Sequence, residues 1–187
     1  VVAAHPDDEV LVCSGTIARH VSDGDKVYMV FMSDGVTSRT GQESKEIELR
    51  KQAAKDASNI LGIVDSPRFL GFPDNRMDTL ALLDIVQTLE QVINEIEPEV
   101  VYTHHLGDLN IDHKITHQAV MTACRPQPES CVREIYSFEV LSSTGWSTNN
   151  TFVPNYFVDI SSVLELKMSA IKAYNDELRD FPHARSI

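Results

Sequence analysis

The chain has 187 residues, 42% of them hydrophobic and 24% charged, which suits a single domain with a substantial buried core. Sixteen basic residues against 28 acidic ones give a formal net charge of -12, which argues against a nucleic-acid backbone or an anionic membrane surface as the main partner. Three cysteines without paired spacing, and no apolar run long enough to span a bilayer, suggest reduced thiols and a cytoplasmic setting.

In chain order, Val1 to Ala4 reads as a buried strand, followed by a helix from about Val10 to Ser22. Lys26 to Gly35 is a second strand closed by a polar turn. From Ser44 to Leu61 the spacing is helical, with Ile47, Ala54, Ala57 and Leu61 on one face. Arg68 to Phe72 is a third strand, and Leu82, Val86, Leu89, Ile93 and Ile96 mark a helix that stops before Pro98. Glu99 to His105 is a fourth strand, and Asp112 to Ala123 a helix capped by Asn110 or Asp112. Arg133 to Leu141 and Asn155 to Ile160 supply two more strands, and Ser161 to Leu178 a closing helix. No internal repeat, low-complexity tract or domain linker is visible.

Strands alternating with helices imply βαβ units, hence an α/β fold with a mostly parallel sheet. In such sheets ligands bind beyond the carboxyl ends of the strands, where the topology switches. That rule singles out His5 to Glu9, Ser33 to Gly35, Phe72 to Asn75, and the run from His104 to His113. Acids at a helix start are common caps and dipole partners, and one or two of Asp7, Asp8 and Glu9 could be only that. Capping does not explain His5 together with three consecutive acids. A divalent cation does: His5 and Asp8 can converge on one ion across the Pro6 turn, and an imidazole with carboxylates suits zinc (Zn2+). Asp7, between them, could take a proton from water.

A third ligand is expected in "THHLGDLNIDHKITH", with His113 the leading candidate because the fourth strand should lie beside the first. His117 shares a helical face with His113, but a zincin pair needs Glu where Lys114 stands, so His117 reads as packing or outer support. His104 and His105 should split, one facing the core or a hydrogen bond and one the cleft. Arg50 lies on the apolar side of its helix; it either pairs with Glu46, or snorkels, or reaches a substrate oxygen or a carboxylate such as Asp74. "SDGVTSRTG" matches no phosphate-binding loop, and no G-x-S-x-G elbow occurs.

"AAHPDDEVLVCSGTIA" resembles the opening signature of the LmbE-like (PIG-L) de-N-acetylases. "ELRKQAAKDASNILGI", "LGFPDN" and "GDLNIDHKITHQAV" are similar to that family's later blocks, in the same order, and "RDFPHARSI" resembles a C-terminal segment of some bacterial members. The resemblance implies one Rossmann-like domain over residues 1–187, apparently trimmed at both ends, with helices on both faces of the sheet. It implies zinc-dependent removal of acetate from an N-acetylated sugar or sugar conjugate, leaving a free amino sugar. His5, Asp8 and His113 would be the zinc ligands, Asp7 the general base, and Arg50 and Asp74 the contacts to sugar hydroxyls. Asn110 stands where many members carry a histidine that helps hold the oxyanion, and Asp108 where some carry a tyrosine. Either His104 or His105 fills that gap, or Asn110 serves with zinc, or activity falls.

Two other readings stand beside this one: a metal- or sugar-binding module with lost or altered catalysis, and a metal-dependent hydrolase of another amide. The expected partner is a small N-acetylated sugar, with no nucleic acid and no membrane span, and a homo-oligomer is left open. The loops Thr37 to Ser44 and Ser142 to Pro154, which would choose the sugar, carry no readable pattern.

Overall fold

Strands too apolar to face water on either side build the centre of the molecule. The structure is a computed structural model that describes residues 1–39, 44–146, 148 and 150–186, so parts of both sugar-choosing loops lie outside the described residues. Among the described residues there are five strands: β1 (Val2–Ala3), β2 (Val30–Ser33), β3 (Arg68–Phe72), β4 (Val100–His104) and β5 (Glu134–Phe138). The same residues hold six α-helices: α1 (Asp8–Val12), α2 (Ser14–Ser22), α3 (Ser44–Ile60), α4 (Leu82–Ile96), α5 (Ile111–Ala123) and α6 (Leu164–Lys172).

All recorded pairings are parallel: β1 with β2, β2 with β3, and β4 with β5. These pairings make a three-stranded sheet and a two-stranded one, and β4 packs beside β1, which gives a spatial order of 3-2-1-4-5. The chain therefore runs outward from β1 in one direction, returns, and continues in the other. The crevice this creates opens at the carboxyl end of β1, where His5 follows.

Alternation along the strands divides the core between two faces. Val2, Ala4, Val30 and Met32 meet Ile85, Leu89, Ala119 and Val120 of α4 and α5. Ala3 and Phe31 meet Ile17, Ala57 and Ala170 of α2, α3 and α6. The α/β architecture with helices on both faces is as the sequence implies.

Three expectations need correction. The helix expected from Val10 starts at Asp8 and is interrupted at Cys13; the Ser14 hydroxyl bonds back to Val10 O at 2.7 Å there, a contact that bends helices. Asn155 to Ile160 is not a strand: it has no ladder partner among the described residues, and Tyr156 and Phe157 remain 56% and 79% exposed. The closing helix is only α6, flanked by single 3-10 turns at Ser161–Val163 and Asn175–Glu177. The break after Lys172 lets the chain turn Glu177 into the crevice and Tyr174 onto buried Glu9, rather than along a helix axis. No helix among the described residues is long and apolar enough to cross a membrane.

Candidate active site

β1 delivers His5 to the crevice, and the tight turn that follows places Asp8 at the first position of α1. Between them Asp7 has φ 133°, an unfavourable backbone for a residue with a side chain. Its N–H is held by Glu9 Oε2 at 3.0 Å, and Tyr174 donates to the other Glu9 oxygen at 2.6 Å. Burial pushes the Glu9 carboxyl up to about 8, even with those two bonds favouring its charged form. The third acid of the opening motif is therefore a backbone clamp. Gly35, just past β2, has φ 70°, and a Cβ there would stand 3.1 Å from His5 Cβ, so both the backbone and the space favour glycine.

His113 enters from the first turn of α5, across the sheet from β1. Three donor atoms then converge. His5 Nδ1 and His113 Nε2 are 3.3 Å apart, and each is 3.4 Å from Asp8 Oδ2. A tetrahedral ion with ligands at about 2.1 Å has donor–donor edges of about 3.4 Å. All three residues are buried, and among the described residues Asp8 Oδ1 has no hydrogen-bond partner although it is inaccessible to solvent. Two nitrogens and a carboxylate at that spacing, with an orphaned carboxylate oxygen, fit a zinc-like cation.

The far nitrogen of each histidine meets a carboxylate, the arrangement that fixes the tautomer of a metal-binding imidazole. His5 Nε2 lies 3.1 Å from Asp112 Oδ2 and 3.2 Å from Asp74 Oδ1, and His113 Nδ1 lies 3.2 Å from Asp108 Oδ2. Asp112 is held in turn by the backbone N–H groups of Asn75 and Met77 at 2.6 and 3.2 Å. Burial disfavours charge on His5, but Asp112, Asp74 and Asp8 outweigh it and raise its pKa well above the usual histidine value. The same contest, with Asp8 and Asp108 as the acids, lifts His113 to about 8. Burial opposes the charge on Asp8 as well, yet His113 and His104 hold it well below the ordinary carboxylate range. Protons on these imidazoles balance the buried acids, a task that a bound cation would take over.

Of the residues singled out from sequence, the crevice gathers His5, Asp7, Asp8, Arg50, Asp74, Asn110 and His113. His104 sits just behind, fully buried and stacked on His113 at 3.9 Å, accepting the Ala4 N–H at 2.9 Å. Burial and its neighbour His113 lower its pKa to about 4. His105 turns away to Asn150 O at 2.8 Å, and His117 bonds His104 O at 2.8 Å, so neither borders the crevice, which corrects the expectation that one of His104 and His105 faces the cleft. Asn110 caps α5: its Oδ1 accepts from Asp112 N and His113 N at 2.8 and 3.4 Å, while its Nδ2 donates to Asn75.

Arg50 reaches carboxylates of the crevice, one of the courses the sequence left open, but not the carboxylate named for it. It pairs with neither Glu46 nor Asp74; its guanidinium donates to Pro6 O at 2.8 Å, approaches Asp7 at 3.5 Å and closes on Glu177. Asp74 binds instead to His5 and the Ser38 N–H, and burial notwithstanding, those contacts hold it down at about 2. Sequence reasoning missed Asp108 and Asp112 as partners of the histidines, and it missed Glu177, Arg39 and Arg185. Asp112 stands directly before His113, a spacing that could have suggested the support. Nothing local ties position 177 or 185 to position 7.

The cavity in front of these groups encloses about 370 Å³ and is bordered by Asp7, Arg50, Asp74, Asn110, Ser143 and Arg185 among others. That is room for a ligand of sugar size. In comparisons with known proteins, the family of GlcNAc-PI de-N-acetylases (PIG-L) matches residues 1–124. The chain is 32% identical over 179 residues to the uncharacterized deacetylase YaiS of Escherichia coli, covering 92% of this chain and 88% of that one. It is 27% identical to the diacetylchitobiose deacetylase of Thermococcus kodakarensis, covering 94% and 68% of the two. Among solved structures, the 4-carboxy-2-hydroxymuconate hydratase GalB of Pseudomonas putida superimposes with a TM-score of 0.75 at 25% identity, covering 94% of this chain and 78% of that one.

Proposed function

We propose that this chain, which belongs to the PIG-L (GlcNAc-PI de-N-acetylase) family, hydrolyses the acetamide of an N-acetylated sugar or sugar conjugate with the help of zinc. The observation that carries the reading is the triangle of His5, Asp8 and His113, with edges of 3.3 to 3.4 Å, beside the carboxylate of Asp7. His5, Asp8 and His113 would hold the ion. Bound there, zinc supplies Lewis acidity, polarising an amide carbonyl and acidifying water. With the ion bound, Asp108 and Asp112 would hold the two imidazoles in the tautomers that point a lone pair inward.

Asp7 is the base in this reading. Burial raises its pKa, the guanidiniums of Arg185 and Arg50 work against that rise, and the result is a carboxyl more basic than in water. It takes the proton from the attacking water and returns it to the departing amine nitrogen, so that acetate and a free amine result. Asn110 has one amide hydrogen left beyond its bond to Asn75, and that hydrogen can reach a developing oxyanion. Arg50 and Asp74 border the space where the sugar would sit.

A second reading, addition of water without loss of acetate, is favoured by the likeness to hydratases. The 4-oxalmesaconate hydratase of Pseudomonas putida is 29% identical to this chain. The two are separated by incubating the zinc-loaded protein with a panel of N-acetylglucosamine conjugates and with unsaturated dicarboxylates. Acetate release from the first group supports deacetylation; turnover of the second group alone replaces it with hydration.

A further inference from the structure

We propose that Arg185, carried by the segment that follows α6, is a positioning residue for Asp7, completing the active site from the opposite end of the chain. The inference rests on Asp7 being the base. A carboxylate that must take a proton at one oxygen works best when its other oxygen is fixed, because a small misplacement of a reacting group can cost about 100-fold in rate. Both guanidinium contacts to Asp7 fall on Oδ2, from Arg185 Nη1 at 2.8 Å and from Arg50 Nη1 at 3.5 Å. Among the described residues no hydrogen bond reaches Oδ1, which is left for the water. Arg185 makes the shorter of the two contacts, so it sets the rotamer.

Arg185 is itself aimed. Its Nη1 lies 3.1 Å from Glu177 Oε2 and its Nε 3.4 Å from Ser142 Oγ. Glu177 is gripped by both terminal nitrogens of Arg39 at 2.9 Å each, and by Arg50. The same stretch of chain supplies Tyr174, whose hydroxyl fixes Glu9 and through it the strained backbone of Asp7. Asp7 is thus held at its backbone by Tyr174 acting through Glu9, and at its side chain by Arg185. Arg185 Nη1 is engaged by carboxylates of this chain on both sides, Asp7 at 2.8 Å and Glu177 at 3.1 Å, which suits positioning. Both Tyr174 and Arg185 lie beyond residues 1–124, where the family match ends.

The test uses Arg185→Ala and Arg185→Lys in the full zinc-loaded chain, with acetate release followed over substrate concentration. Arg185→Ala should lower kcat about 100-fold with KM changed less than threefold and zinc content unchanged. Added guanidinium at tens of millimolar should restore at least tenfold of the loss, and Arg185→Lys should fall between wild type and Ala. An unchanged kcat, or a raised KM at unchanged kcat, overturns the assignment. A second arm needs no turnover: the unfolding costs of Asp7→Asn and Arg185→Gln, alone and combined, should be non-additive. Additive costs overturn the proposal as well. A wild-type protein that releases no acetate counts against the deacetylase reading, and the unfolding cycle then decides the contact to Asp7 by itself.

Discussion

Replacing Glu177 by Gln should destabilise the protein far more than a surface substitution would. Glu177 is 4% exposed and meets Arg39, Arg50 and Arg185, and Arg50 is itself only 7% exposed. Glutamine keeps the shape but removes the charge, and its amide nitrogen must face a guanidinium. Removing one partner of a buried ion pair costs roughly 3–5 kcal/mol, because the remaining charge stays buried and uncompensated. Arg39 and Arg185 are partly exposed and can regain water, so the lower end applies, about 3 kcal/mol. For a chain of this size that is a fall in Tm of about 6–12 °C. The assay is thermal unfolding of the metal-free protein, so that metal binding cannot mask the change, with Arg39→Gln as a comparison whose exposed side chain should cost about 1 kcal/mol or less. A shift below about 2 °C for Glu177→Gln would refute the view that this carboxylate neutralises the arginines of the crevice.

Asp7→Asn should bind zinc as the wild type does and lose acetate release by at least about 100-fold, read from metal content and kinetics on the same preparation. Asp112→Asn, which weakens the carboxylate behind His5, should lower zinc affinity by about 10- to 100-fold, measured by competition with a chelating dye. Asn110→Ala removes the cap of α5 and should cost about 1 kcal/mol in denaturant unfolding, with acetate release reduced as well if its amide reaches the oxyanion. Zinc added to the metal-free chain should raise Tm in a concentration-dependent way, and that rise should be absent in His113→Ala.

Much of the fold was legible because its signals are local. The apolar runs of β1 to β5 and the stripe of α4 follow from period and composition, and Pro98 marks the approach to β4. Asn155 to Ile160 misled because its apolar residues look like strand positions, while pairing depends on a neighbour that local sequence does not reveal. In the site, His5, Asp7 and Asp8 were readable from the electrostatic oddity of acids closing a buried strand. His113 was readable from where β4 must lie. Arg50 was recognised as a charge on a buried face, but its partner Glu177 is 127 residues away and no periodicity connects them. The supports Asp108 and Asp112 resemble ordinary helix-start acids until the histidine ring nitrogens are seen opposite them.

In the function proposed above, His5, Asp8 and His113 hold one zinc ion that serves acetamide hydrolysis. Its most direct test titrates the metal-free chain with zinc while acetate release from an N-acetylglucosamine conjugate is followed. No release is expected without metal, then a linear rise to a plateau at about one zinc per chain, with no response in His113→Ala. Full acetate release from the metal-free chain, or a zinc response that survives His113→Ala undiminished, would contradict it.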